Sequence, residues 1–264
     1  MTEQPILMET RGRVATLILN RPAKKNALTP DLLDLLRTHL DDLGRNDEIR
    51  TVVIRGAGDK VFSSGFDVSF LPTTMDKEGL SRDHKNPLEV AVQSIQGYPY
   101  PVIAMINGYA FGAACELALS CDFRVAADDA KMGFPPVKLG LIYPAYGMVR
   151  IVRKIGIQPA KELFFTGRSI GPQRIRELRL VDFQVETKRL EAETYALATE
   201  ISENAPLSLK GSKYIFGLVE RNTEPTQAEI DKLEAMALQA FNSDDLKEGL
   251  TAFFEKRPPN FIGK

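Results

Sequence analysis

A glutamate set in an apolar helix start is the residue of this chain whose surroundings most suggest chemistry. Glu116 follows Val102-Ile103-Ala104-Met105-Ile106-Asn107-Gly108-Tyr109-Ala110-Phe111-Gly112-Ala113-Ala114-Cys115 and precedes Leu117, Ala118 and Leu119. A carboxylate there is costly unless it meets a partner or a substrate, and burial raises its pKa into the range useful for proton transfer. Val102 to Ile106 predicts a buried strand, Asn107 and Gly108 a turn, and Gly112, Ala113 and Ala114 a place small enough for a ligand to touch the backbone. The helix that starts there offers N–H groups without intrahelical partners and the positive end of its dipole, a natural seat for an oxyanion. A carboxylate at a helix start can also do no more than complement the dipole, and this stretch alone leaves both roles open.

The elements that must position Glu116 read as alternating strands and helices. Arg13 to Asn20 alternates as a strand, with a partner near Ile6 to Glu9. The loop from Arg21 to Ala27 then leads to Thr29-Pro30-Asp31, an N-cap, a first-turn proline and an acid, opening a helix to about Leu43 with a leucine stripe. Lys24 and Lys25 in that loop also fit a solvated surface. Thr51 to Arg55 is a second buried strand, followed by Val61-Phe62-Ser63-Ser64-Gly65-Phe66-Asp67, whose glycine allows close approach of backbone to a ligand. Strand, helix, strand and glycine turn follow βαβ logic. Leu71 to Pro87 reads as a flap beside the site or an exposed insertion, and Pro87 starts a helix to about Gln96. After a strand over Asp122 to Ala127, Met132 to Pro144 is rich in breakers and apolar side chains and can wall a pocket; its Tyr143 needs a partner if buried. From Ala145 the pattern is helical almost throughout, so the tail is expected to pack on something other than the sheet, such as the site or a neighbouring subunit.

Composition narrows the class. With 264 residues, 44% hydrophobic, 26% charged and a net charge of −1, the chain can bury a full core and has no global attraction for nucleic acid or an anionic membrane. No run approaches membrane-spanning length and no secretory h-region follows the polar start, so a cytoplasmic location is expected. Cys115 and Cys121 point to different helix faces and read as small core residues in a reducing compartment. His39 and His84 have no neighbouring ligand, so no metal is expected.

With these pieces in place, the chain resembles the crotonase superfamily, the enoyl-CoA hydratase/isomerase family, over nearly its whole length. The resemblance is carried by Arg21-Pro22 with Asn26-Ala27-Leu28, Phe62 to Asp67, Asn107 to Ala118, Lys161-Glu162-Leu163 with Thr166-Gly167, and Glu248 to Phe253 through Glu255-Lys256-Arg257. It implies an α/β fold, a spiral of ββα units over residues 1–200, with a C-terminal helical region, residues 201–264, used for trimerisation. It also implies acyl-CoA substrates, a homotrimer or hexamer, and no cofactor beyond the coenzyme A of the substrate. The oxyanion hole maps to the backbone N–H groups of Phe66 and Ala113, which agrees with the helix-start reading because two preorganised donors are worth several kcal/mol at an enolate oxygen. CoA binding maps to Lys24, Lys25, Ala27, Ser64, Asp67 and Lys256.

One departure bears on the reaction. Hydratases of the family use two glutamates; the first matches Glu116, and the segment of the second aligns with Phe134-Pro135-Pro136, where no carboxylate stands. Removing one of a cooperating pair costs orders of magnitude. Within the family the chain is most similar to the methylmalonyl-CoA decarboxylase-like members, through Lys60-Val61-Phe62-Ser63, Pro136-Val137 with Leu139-Gly140, Tyr143, and Glu255-Lys256-Arg257 with Pro259-Asn260-Phe261. Glu116 and Tyr143 then line the reacting end, while Phe66 stands where that group usually carries histidine. The expected function is decarboxylation of a small malonyl-type CoA thioester; the alternatives are an enoyl-CoA hydratase or isomerase using Glu116 alone, and an idle acyl-CoA binder.

Overall fold

The computed structural model describes residues 4–71, 86–221 and 224–264; residues 72–85 of the stretch read as a flap, with His84, lie outside them. The chain opens with an antiparallel pair, β1 (Ile6–Arg11) and β2 (Val14–Leu19), and then α1 (Pro30–Leu43). Thr29 caps α1 by accepting from the Leu32 N–H, Pro30 occupies the first turn, and Leu32, Leu33, Leu36 and Leu40 form its buried face. Three turns of one pattern follow. They are β3 (Thr51–Gly56), β4 (Val61–Ser63) and α2 (Pro87–Gly97); β5 (Val102–Ile106), β6 (Tyr109–Phe111) and α3 (Ala113–Leu119); and β7 (Phe123–Ala127), β8 (Lys131–Gly133) and α4 (Ala145–Ile155).

In each turn the first strand joins a large sheet and the second a small one. The large sheet runs β1-β2-β3-β5-β7-β9, with β9 at Phe183–Val185, and is parallel from β2 onward; the small sheet runs β4-β6-β8, also parallel. This is the spiral of ββα units. The strand, glycine turn and helix read here are joined by one element not read from the sequence, β6, between Gly108 and Gly112. Strands of three residues carry too little periodicity to be read from sequence, and they exist because successive turns of the spiral supply their hydrogen-bonding partners.

Between α4 and β9 lie α5 (Ile157–Thr166) and α6 (Pro172–Glu177), and after β9 come α7 (Leu190–Ser202), α8 (Pro206–Glu220), α9 (Gln227–Phe241) and α10 (Asp244–Glu255). The inner strands of the large sheet, β2, β3, β5 and β7, are largely apolar on both faces because both are covered. Val52, Ile54, Val102, Ala104 and Ile106 join the core with α1, α2 and α3, whereas Val14, Val53, Ile103, Met105 and Val125 pack against Leu190, Ala198 and Ile201 of α7. The expectation that the helical tail packs on something other than the sheet is therefore corrected for α7. It covers the second sheet face, which would otherwise leave a row of Val and Ile side chains in water at ~25 cal/mol per Å². α8 is tied to the core by the buried Lys213 ammonium, which donates to the carbonyls of Ile95 and Tyr100 and to Asp122. α9 and α10 lie further out, and Leu238, Phe241, Leu250, Phe253 and Phe254 on them are exposed.

Candidate active site

Glu116 lies in the first turn of α3, three residues after Ala113, and is 2% exposed. Its carboxylate has two fixed partners. The Tyr143 hydroxyl, from the segment before α4, donates to Oε2 at 2.5 Å, and Nη1 of Arg150, from α4, donates to Oε1. Nη2 of the same arginine reaches both oxygens of Glu89 on α2, at 2.7 and 2.8 Å. Three helices thus meet in one network. Tyr143 is held from the other side by a wall of rings, with Phe134 edge-on at 5.7 Å and Phe164 at 5.3 Å between centroids.

Burial pushes the Glu116 carboxyl above its ordinary pKa, and the hydrogen bond from Tyr143 and the charge of Arg150 pull only part of that back. Burial, and then the negative charge of Glu116, drive the Tyr143 phenol well above its usual value, so it stays a donor at neutral pH. Gly147, one turn before Arg150 on the same face of α4, makes room for this arrangement. A Cβ there would sit 2.6 Å from both Glu116 oxygens.

The two amides read as an oxyanion hole also come together. Gly65 has φ +99, and a Cβ on it would meet the Phe111 carbonyl oxygen at 2.5 Å and the Ala113 nitrogen at 3.7 Å. Only glycine lets the chain before Phe66 press so closely against the β6–α3 junction. Among the described residues, neither the Phe66 nor the Ala113 N–H donates to an acceptor. An unpaired backbone donor on a largely buried residue (Ala113 is 4% exposed) is uncommon, and it leaves both N–H groups available to a ligand oxygen.

Five of the six residues expected at CoA lie along one edge of this junction. The loop of Arg21 to Leu28 runs beside Ser64 to Asp67 through the Ser64 N–H to the Lys25 carbonyl, Leu28 to Gly65, and Asp67 to Leu28, at 3.0, 2.8 and 2.8 Å. Asn26 anchors the loop by donating to the carbonyls of Ala57 and Val61. Lys24, Lys25 and Ser64 are exposed there, and Ala27 is buried with its carbonyl taken by Arg21 Nη1 at 2.7 Å. The Asp67 carboxylate is bound by Arg21 at 3.2 Å and by the Ser69 hydroxyl at 2.7 Å, so it holds the loop together and is not free. The sixth is Lys256. It ends α10 in the left-handed conformation and makes, among the described residues, no hydrogen bond or ion pair to this edge.

Pro136 opens a short 3-10 turn, Pro136–Leu139, beside the site, and no acid occurs from Phe134 to Tyr143. Cys115 and Cys121 are buried and unpaired, each thiol pushed by burial to about 12. Among the described residues no cluster of three or more His, Cys, Asp or Glu is placed to hold a metal, and no helix is long and apolar enough to cross a membrane.

Arg150, Glu89 and Gly147 were not singled out by the sequence. A signal existed for two of them. A glycine inside an apolar helix is locally unfavourable and implies a close approach, and an arginine three residues later falls on the same face.

The enoyl-CoA hydratase/isomerase family model matches residues 9–264. Among curated proteins, the methylmalonyl-CoA decarboxylase of Escherichia coli (strain K12) is 35% identical over 264 residues, covering 100% of both chains. The crotonyl-CoA hydratase of Syntrophomonas wolfei is 33% identical over 268 residues, again covering 100% of both. Among solved structures, the enoyl-CoA hydratase of Bacillus anthracis superposes with a TM-score of 0.88 at 33% identity, covering 99% of this chain and 100% of that one. The ββα spiral, the paired amides at the start of α3 and these full-length matches agree: the chain belongs to the enoyl-CoA hydratase/isomerase family and is an acyl-CoA-processing enzyme of the crotonase superfamily.

Proposed function

We propose that the enzyme is a CoA-thioester lyase that decarboxylates a small malonyl-type substrate of the methylmalonyl-CoA kind. The observation that carries this reading is the solitary carboxylate. Among the described residues, Glu116 stands at the reacting end without a second free acid: Pro136 occupies the segment that would supply one, and Glu89 has both oxygens on Arg150. Adding water across a double bond needs two groups to hold and deprotonate water and to deliver a proton. Losing CO2 needs a carboxylate turned out of the thioester plane, stripped of water, and a stabilised enolate.

The residues supply those needs. The thioester oxygen takes the N–H groups of Phe66 and Ala113, with the α3 dipole behind the second. The C–C electron pair passes into the enolate as CO2 leaves, against the wall formed by the Phe134, Phe164 and Tyr143 rings. Arg150, the cation of this network, is committed to Glu116 and Glu89, so it does not stabilise the ground-state carboxylate by pairing with it. Tyr143 orients that carboxylate through its hydroxyl, and Glu116 is the source of the proton returned to Cα. Lys24 and Lys25 lie toward the CoA phosphates. The exposed apolar faces of α9 and α10 support a homotrimer or hexamer; light scattering that finds a monomer at micromolar concentration would count against it.

A second reading, an enoyl-CoA isomerase or weak hydratase using Glu116 alone, is favoured by the hydratase relative at nearly equal identity and by the raised Glu116 pKa. Incubation with methylmalonyl-CoA, malonyl-CoA and crotonyl-CoA, with products detected by mass spectrometry, separates the two. Release of CO2 with slow crotonyl-CoA turnover is expected. Fast hydration without CO2 release would overturn the decarboxylase reading, and tight binding with no turnover of any thioester would leave an idle acyl-CoA binder.

A further inference from the structure

We propose that Arg150 is a positioning residue that dictates which oxygen of Glu116 carries the proton, and that Glu89 is its counterweight, the two setting the charge of Glu116 in opposite directions. The inference deepens the proposed function and rests on Glu116 being the group that handles the substrate proton.

The geometry makes the two carboxylate oxygens unequal. Arginine has no acceptor and does not lose its proton in proteins, and a carboxyl oxygen accepts more strongly without a proton, so the bond from Arg150 Nη1 disfavours the proton on Oε1. Oε2 faces the Tyr143 hydroxyl, which can donate or accept. The proton of neutral Glu116 therefore sits on Oε2, next to the tyrosine. Return of a proton to the substrate then balances as a relay: the Oε2–H bond breaks as a new Tyr143 O–H forms, and the original Tyr143 O–H breaks as the Cα–H bond forms. Decarboxylation consumes one proton per turnover, and solvent returns it to Oε2 of Glu116 after the product leaves.

Charge is apportioned by the same contacts. Arg150 carries one positive charge between two carboxylates, with side chains 14%, 25% and 3% exposed for Arg150, Glu89 and Glu116. With Glu116 neutral, Arg150 and Glu89 form a matched pair. With Glu116 ionised, the network holds an excess negative charge in a largely buried place. Glu89 thus favours the acid form and Arg150 the ionised form. Among the described residues, the titratable and charged side chains facing Glu116 are Glu89 from α2, Arg150 from α4 and Tyr143 from the segment before it. Of the strands packed on α3, β5 has no titratable residue, and Tyr109 of β6 is turned toward Phe111 and Lys131. Cys115, next in sequence, directs its thiol to the carbonyls of Ala110 and Gly133. Gly147 belongs to the same device, since a side chain there would enter the space of the carboxylate.

The test uses the full-length enzyme and two readouts. Carbon-13 NMR of labelled glutamate side chains, with Glu116→Gln identifying the signal, follows the Glu116 titration without any substrate, and pH profiles of kcat and KM follow turnover. Glu89→Gln is expected to lower the Glu116 midpoint and Arg150→Met to raise it. Arg150→Met should lower kcat by about 10- to 150-fold, the range for losing a hydrogen bond to a charged group, with KM nearly unchanged. Arg150→Lys keeps the charge but lacks the planar fork, so it should restore part of the titration and less of kcat. If Arg150→Met does not fold, the direction of the Glu89→Gln shift decides alone. Shifts in the same direction, or no shift in Glu89→Gln, would overturn the proposal even if CO2 release is observed. A wild type without CO2 release but with opposed NMR shifts would overturn only the decarboxylase reading.

Discussion

Adding one methyl group to α4, at Gly147, tests whether the Glu116 network is the reacting end. The Cβ of Gly147→Ala would lie 2.6 Å from each Glu116 oxygen and 2.8 Å from its carboxyl carbon, where ordinary contact begins at 3.4 Å. Relief requires a shift of about 0.8 Å. α4 cannot retreat easily, because Ile151 is fully buried on the same helix and Arg150 is pinned to Glu89. The carboxylate must move, and a move of that size along the 2.5 Å contact with Tyr143 takes it past the usual O–H···O range. Losing one hydrogen bond to a charged group costs about 1.5–3 kcal/mol, or about 10- to 150-fold in kcat. Stability should change less. Overpacking costs about 1–3 kcal/mol, but alanine gains up to about 1 kcal/mol over glycine in a helix interior, so the net loss is about 0–2 kcal/mol. Steady-state turnover of the best acyl-CoA substrate, beside thermal denaturation followed by circular dichroism, separates the two effects. A Gly147→Ala enzyme with wild-type kcat would refute the reasoning, since either the contact or the role of Glu116 would be wrong.

Three further outcomes are expected. Tyr143→Phe keeps the ring wall and removes the donor to Glu116, so kcat should fall by about 10- to 150-fold, with little change in the melting temperature; a change below threefold would exclude a role for the hydroxyl. Ala113→Pro should abolish turnover while α3 persists, because proline fits the first helical position and lacks only the N–H; retained activity would remove that amide from the oxyanion hole. In the pH dependence of folding, native Glu116 binds its proton more tightly than the unfolded chain does. Its contribution is thus fully present below the ordinary value of 4.5 and is lost as pH rises through the raised native value. Urea midpoints of the wild type should fall relative to Glu116→Gln across that window, and parallel curves would contradict the burial argument.

What the sequence determined by itself were the features whose cost or pattern is local. A charge on an apolar helix start marks itself, because a carboxylate next to Ala114, Leu117 and Ala118 has few neutral explanations. The runs Val52 to Ile54, Val102 to Ile106 and Val125 to Ala127 read as buried strands because hydrophobic continuity survives without knowledge of the fold, and Thr29-Pro30 announced α1 through the chemistry of its own cap. The glycines at 65 and 112 marked where the chain takes a positive φ beside the site. Tertiary structure alone decided the rest. The small sheet of β4, β6 and β8 consists of three-residue strands stabilised by partners from other turns of the spiral. The placement of α7 on the sheet depended on an apolar face that α1, α2 and α3 do not reach. Arg150 lies 34 residues from Glu116 and 61 from Glu89, each on a different helix, and nothing on its own helix names those partners. Asp67 likewise became a loop clamp through Arg21, 46 positions away. Ion pairs have no periodicity along the chain, and their worth depends on desolvation that only packing creates, so the partners that set the charge of Glu116 are visible only once the three helices have met.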